Sequence, residues 1–277
     1  MLNQARIAEK YPPEFHFNQA NLNDFEDCAR RFQLRHIERQ PWPAPRLEPL
    51  DEVDAAARRG EMFHRLVQRH ILDIPAPAPA DPKVAAWFAA FQSALPALHL
   101  PTAIRRPEAT YSIALAGKRL MARFDLVTVD PGREIVICDW KTGYPVEAAV
   151  LQARLQTAVY LTVARDALRR LYGGPIPAAA LTLLYWFAEA PDQPVRIRLT
   201  DDDAYDRLHL QLARLIDRVD LFHRDARIWP LTDDLRQCTR CNYRTLCKRS
   251  VATASVSEVE PETLRTGGAA WIEEAEL

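Results

Sequence analysis

The sequence predicts an α/β protein built on a mixed sheet flanked by helices. Three observations carry this. Apolar residues recur at helical spacing up to about Leu95, then switch to alternating, β-branched-rich runs between Glu108 and Trp140. Asp130-Pro131-Gly132-Arg133 sits between two of those runs and reads as a hairpin connection, because Pro presets the first turn angle and Gly tolerates a positive φ. A long helical stretch, Val146 to Leu171, separates the third strand from two more, which is the spacing a βαβ crossover needs.

Taken in order, Asn18 to Arg39 reads as a helix with Leu22, Phe25, Phe32 and Leu34 on or near one face, stopped by Pro41 and Pro43. Asp54 to Leu72 is a second helix. Pro75 to Pro82 is a stiff linker of polyproline type, and Lys83 to Leu95 a short amphipathic helix. Glu108–Leu115, Arg119–Val129 and Glu134–Trp140 are strands. The crossover helix is closed by Gly173-Gly174, a C-cap signal. Ala179–Phe187 and Pro194–Leu199 are strands, and Asp201–Phe222 is a final helix with three aspartates at its positive end. Residues 1–17 form an extension, 18–250 one domain, and 251–277 an acidic, weakly patterned tail expected to be disordered, with Trp271 and Ile272 its apolar pair near the end.

The chain has 277 residues and a net charge of -1, which excludes a uniformly basic nucleic-acid coat but not a local basic groove. Its longest apolar run, Ala178 to Ala188, is too short to span a membrane. The first ten residues lack the apolar stretch of a secretion signal, so a cytoplasmic protein is expected.

Cys238, Cys241 and Cys247 follow C-x2-C-x5-C. Two cysteines three apart hold one metal centre through a tight turn, and a third joins after a short loop. A fourth ligand is expected. Cys138 lies in the apolar strand Ile135-Val136-Ile137 and reads as a core residue, so Cys28 is the candidate. Four thiolates suit zinc or an iron–sulfur cluster, and spacing alone does not choose.

Asp139 and Lys141 are two apart at a strand end and so share a face. A three-residue loop, Pro131-Gly132-Arg133, pairs Asp130 with Glu134 and sets Asp125 opposite Asp139, whereas a two-residue turn sends the two aspartates to opposite faces. Two carboxylates in one small volume ask for a cation, and oxygen ligands suit Mg2+ or Mn2+. A lysine beside such an ion is the equipment of phosphodiester hydrolysis. His64, one turn after Gly60, offers a nitrogen ligand; Gly60 permits close packing or tight approach. Gln156 and Tyr160 share a face of the crossover helix.

Together these residues resemble the PD-(D/E)XK nuclease superfamily in its RecB-like branch, nearest to CRISPR-associated RecB-like nucleases and AddB-type domains with an iron–sulfur cluster. The resemblance runs from about Asn18 to Arg249. It rests on His64 in G-x3-H, Glu108 in PEATYSI, Asp125 in ARFDLV, Asp139 and Lys141 in CDWKTG, Gln156 and Tyr160 in Q-x3-Y, and the four cysteines, all in the family's order. Ala122 and Ala29 depart from it, where a glycine and a proline are frequent.

The resemblance implies a restriction-endonuclease-like core, with the N-terminal helices and the cysteine segment forming a cluster lobe. It implies a metal-dependent DNA nuclease, most simply a single-strand exonuclease of repair, recombination or CRISPR adaptation, working with a helicase or adaptation proteins. His64, Asp125, Asp139 and the Trp140 carbonyl would hold Mg2+ or Mn2+; Lys141, Gln156 and Tyr160 would complete the site, with Gly60 and Glu108 supporting. Cys28, Cys238, Cys241 and Cys247 would hold a 4Fe–4S cluster, and Arg30, Arg31, Arg58 and Arg59 would contact DNA. The alternative is a non-catalytic DNA-binding or scaffold subunit of a helicase–nuclease complex. No G-x4-G-K-[ST] loop is present, so the chain is not itself a helicase.

Overall fold

The computed structural model describes residues 11–12, 14–41, 51–224, 229–239 and 241–249. The acidic tail with Trp271 and Ile272, and most of the N-terminal extension, lie outside the described residues. One sheet carries five strands in chain order: β1 (Ile104–Leu115), β2 (Lys118–Asp130), β3 (Glu134–Lys141), β4 (Leu181–Phe187) and β5 (Ala190–Arg198). β3 and β4 run parallel and the other neighbours antiparallel. The parallel pair forces a crossover, supplied by α5 (Ala148–Ala153) and α6 (Leu155–Tyr172). The single crossover helix expected from sequence is therefore two: Arg154 leaves helical geometry at φ -68, ψ 141. Gly173 ends α6 at φ 69, as the glycine pair predicts.

Helices cover both faces. α1 (Gln19–Asp27), α6 and α7 (Asp202–Arg224) bury one face against Ile135, Ile137, Leu181 and Leu183. α3 (Asp51–Ile71) and α4 (Pro82–Ala94) bury the other against Val136, Cys138, Leu184 and Trp186. β4 is buried at every position, which explains its continuous apolar run LTLLYWF. Cys138 pairs across the ladder with Leu126 in the α3–α4 layer, so it is a core residue. Among the described residues, no helix is long and apolar enough to cross a membrane.

The β2–β3 hairpin has the three-residue loop: Asp130 pairs with Glu134, and Gly132 takes φ 77. The expected register holds as far as Leu126–Cys138, the last pair of that ladder. One residue further the alternation reverses. Phe124 and Val127 both face the α6 layer while Leu126 faces the α3–α4 layer, a pattern strict alternation forbids. On β1 the ladder passes from Pro107–Leu126 to Ala109–Phe124, and the skipped residue, Glu108, sits at φ 51. The distortion at Glu108 and Asp125 turns Asp125 out of the simple opposition to Asp139 that the register alone implies.

The first predicted helix is also broken. α1 begins with a reciprocal cap between Asn18 and Asn21. Cys28 is extended at φ -165, ψ 109, and α2 (Ala29–Phe32) follows, then one wide turn over Gln33–Ile37. Asp24 holds this bend. Its buried carboxylate pairs with Arg31 at 2.9 Å, Arg35 at 2.9 Å and His36 at 2.8 Å. The C-terminal segment folds back on the bend: the Arg30 N–H donates to the Pro230 carbonyl at 3.0 Å, the Tyr243 hydroxyl to the Gln40 carbonyl at 3.2 Å, and Phe32 stacks on Trp229 at 5.3 Å.

Burial alone would raise the Asp24 carboxyl, but the His36 hydrogen bond and the charges of Arg35 and Arg31 outweigh it and hold it below the ordinary carboxylate range. A depressed folded-state value contributes stability above the unfolded pKa of about 3.9, lost as pH falls through the folded value. Asp24→Asn should therefore destabilise the protein by about 2–4 kcal/mol at neutral pH. In urea denaturation the deficit should shrink as the pH is taken below about 3.9 and on through the depressed folded value.

Candidate active site

β3 sorts its last residues by parity. Trp140 sends its ring into the α3–α4 layer, and Asp139 and Lys141 face α6. Both are nearly out of water, at 2% and 6% exposure. Lys141 Nζ lies 2.6 Å from Asp139 Oδ2 and donates to Gln156 Oε1 at 3.2 Å. Gln156 Nε2 donates to Asp139 Oδ1 at 3.2 Å, and the Tyr160 hydroxyl donates to the same oxygen at 3.4 Å. Burial, then the charges of Asp139 and Asp125, push the Tyr160 phenol well up, so it remains a donor. A buried ion pair persists only when its remaining polar atoms are satisfied, and Gln156 does this for both members. Asp139, Lys141, Gln156 and Tyr160 thus converge in one network, as the sequence expects.

A second group adjoins it from the α3 side. His64 Nδ1 lies 2.9 Å from Asp125 Oδ1, and the Trp140 N–H donates to Asp125 Oδ2 at 2.6 Å. Ligand atoms of His64, Glu108 and Asp125 all lie within 4.8 Å of one another. One imidazole nitrogen and two carboxylate oxygens fit a hard divalent cation such as Mg2+ or Mn2+. The membership differs from the expectation: Glu108, given only a supporting part by the sequence, joins the group, while Asp139 is turned to Lys141. Left-handed backbone at a glutamate costs roughly 1–2 kcal/mol, and such strain gathers at functional sites. The Glu108 carboxylate also pairs with Arg123 at 2.7 Å. Trp140 contributes its N–H to Asp125.

Gly60, expected to permit close packing or tight approach, faces Thr142. A methyl group on it would meet Thr142 Oγ1 at 3.8 Å, an ordinary contact, so close packing within the protein does not require glycine there.

Cys28, Cys238, Cys241 and Cys247 line one small cavity with Arg31, Arg244 and Arg249. Burial raises the Cys241 and Cys247 thiols, and the neighbouring thiols raise Cys247 further. The extended backbone of Cys28 at the helix break puts this residue within reach of a segment more than two hundred positions away. Of the arginines named as DNA contacts, Arg31 is engaged by Asp24 and Asp27, Arg30 by Gln33 and Glu38, and Arg59 by Asp81 at 2.7 Å. Arg58 is exposed on α3.

The chain matches the model of the PD-(D/E)XK nuclease superfamily over residues 16–115 and 96–248, and so belongs to that superfamily. Among solved structures it is similar to a "Putative exonuclease" from Eubacterium rectale, with TM-score 0.52 and 10% identity, covering 87% of this chain and 91% of that one. At that identity the likeness speaks for the fold. A second structure, SSO0001, matches with TM-score 0.39 and 12% identity over 88% of this chain and 90% of that one, too loosely to bear on the argument. No curated relative matches the chain.

Glu108→Gly should relieve the left-handed strain and raise metal-free stability by about 1 kcal/mol, while weakening Mn2+ binding about tenfold or more in calorimetric titration. Gly60→Ala, inside a helix and free of a clash, should stabilise by about 0.5–1 kcal/mol in thermal melts.

Proposed function

We propose that the protein is a divalent-metal-dependent deoxyribonuclease that hydrolyses phosphodiester bonds, acting as an exonuclease on single-stranded DNA. The observation that carries the reading is the junction of the two groups. The Asp139–Lys141–Gln156–Tyr160 network meets the His64–Glu108–Asp125 set through the hydrogen bond from the Trp140 N–H to Asp125. The exonuclease part draws on the name of the Eubacterium rectale structure and on the resemblance of the motifs.

A divalent ion bound by His64, Asp125 and Glu108, with Asp139 and the Trp140 carbonyl as the further ligands the motif implies, would polarise the phosphate and lower the pKa of an attacking water. The rest is done by the chain. Lys141 supplies positive charge where negative charge grows on the phosphate oxygens. Asp139 holds that ammonium in one place, and Gln156 locks both through its two-ended amide. Tyr160 keeps its proton and fixes the Asp139 rotamer from α6. The DNA repair, recombination or CRISPR-adaptation setting, and a helicase or adaptation partner, follow from the same resemblance. The scaffold alternative expects a broken motif, and the sequence keeps His64, Asp125, Asp139, Lys141, Gln156 and Tyr160.

The cysteine cavity is read as the seat of a 4Fe–4S cluster. The reading rests on the four cysteines that line the cavity and on the resemblance of C-x2-C-x5-C with a distant first cysteine to cluster-bearing nucleases.

Wild-type protein with Mn2+ should degrade end-labelled single-stranded DNA, and chelation should stop it. Asp139→Asn and Lys141→Met should each lower the rate roughly 10²- to 10³-fold or more. An unchanged rate in Asp139→Asn would refute the assignment. Anaerobically purified protein should carry iron. Cys28→Ser should lose it and Cys138→Ala keep it; iron retained in the first variant and lost in the second would exclude the cavity as its seat.

A further inference from the structure

The segment that follows the Lys141 strand end is chemically unlike its surroundings. Gly143 to Val150 reads GYPVEAAV and carries one charge, on Glu147. It leaves Tyr144 at 74% exposure and Val150 at 48%, beside exposed Ala148 and Ala149. Tyr144 is the most exposed large apolar side chain among the described residues. A lone exposed ring is ordinary on a protein surface. This one is set on a pinned loop. Thr142, two residues before it, is buried and faces Gly60 of α3. Val146, two residues after it, packs against the α6 core. Pro145 has its own φ fixed and holds Tyr144 to extended backbone. The loop therefore presents the ring to water with little freedom left to lose on binding.

Its place along the chain decides what it meets. Tyr144 lies three positions after Lys141, and three residues span at most about 11 Å. A strand whose phosphate lies at Lys141 thus has a neighbouring base within reach of the ring. An exposed aromatic face on a loop held at both ends takes an unpaired base by stacking, without reading its identity.

We infer that Tyr144 is a positioning residue: it stacks on an unpaired nucleobase next to the scissile phosphate and so selects single-stranded ends. This rests on the nuclease reading given above. A base inside a duplex already has its stacking partners and must be unstacked to use the ring, whereas an unpaired one stacks at once.

The test compares wild type, Tyr144→Ala and Tyr144→Trp on labelled single strands, one fully based and one with an abasic run at the labelled end. Melting temperatures should match, since the side chain is exposed. Tyr144→Ala should raise KM on the based strand by about tenfold, within the 5- to 150-fold that one base–ring stack of about 1–3 kcal/mol corresponds to, with kcat nearly unchanged. Tyr144→Trp should keep or lower KM. On the abasic strand the three proteins should have the same KM. Equal KM on the based strand, or an equal loss on both strands, overturns the stacking role while leaving the nuclease reading intact. Failure of wild type to cleave either strand, with Mn2+ present, overturns the nuclease reading and the stacking role with it.

Discussion

The arrangement depends on keeping a lysine and an aspartate almost out of water at the end of a strand. Two unpaired charges in that position would cost several kcal/mol each, so the structure around them is set by the need to complete their hydrogen bonds. β3 is covered by α6 on the face that holds the pair and by α3 and α4 on the other, and its parallel pairing with β4 makes α6 the crossover. The crossover helix in turn brings Gln156 and Tyr160 back to the same strand end. Lys141 also lies 5.6 Å from the Tyr185 ring, whose hydroxyl is itself tied to Thr157 at 2.8 Å. The site and the βαβ unit are therefore one construction, and α6 acts as both core and ligand-orienting wall.

The sheet and its chemistry were legible to different depths. Alternation, the DPGR loop and the glycine pair mark β2, β3 and the crossover because each is a local signal. The helix breaks at Cys28 and Arg154 were not legible, since neither residue is a breaker by propensity; both are imposed by what the flanking segments pack against. The reversal at Glu108 and Asp125 was hidden for the same reason. Nothing about glutamate announces positive φ, a conformation usually left to Gly, Asn or Asp. Parity arguments assume unbroken alternation, and one strained residue was enough to move Asp125 from a place opposite Asp139 to one beside His64. The motif residues were still recognisable, because their identities and order survive a local twist that their facing does not.

Direct contacts already join the two ends of the described domain. The stack of Phe32 on Trp229, the donation from the Arg30 N–H to Pro230, and the Trp229 N–H on Gln33 Oε1 at 3.1 Å bind the bend after α1 to the segment after α7. The cysteine cavity therefore lies beside aromatic packing that is continuous with the core under α6 and α7. The Asp24 network sits immediately behind it, and Arg31 takes part in both. On the proposed reading, negative charge on the cysteines of the cavity would be met by arginines already held in place, which favours metal loading without large rearrangement.

The candidate active site is assembled across the sheet. Asp139 and Lys141 belong to the α6 side, His64 to the α3 side, and Asp125 bridges them through the Trp140 amide because the strand twists where it lies. A strictly regular ladder would confine all carboxylates to one layer and leave the histidine helix with no partner there. The left-handed turn at Glu108, unfavourable taken alone, goes together with the crossing that lets two helical layers contribute to one centre. Strain in the strand and reach of the site are thus the same feature. On the proposed reading, the α3 layer, which supplies no motif residue except His64 with its nearby glycine, is as necessary to the chemistry as the helix that carries Gln156 and Tyr160.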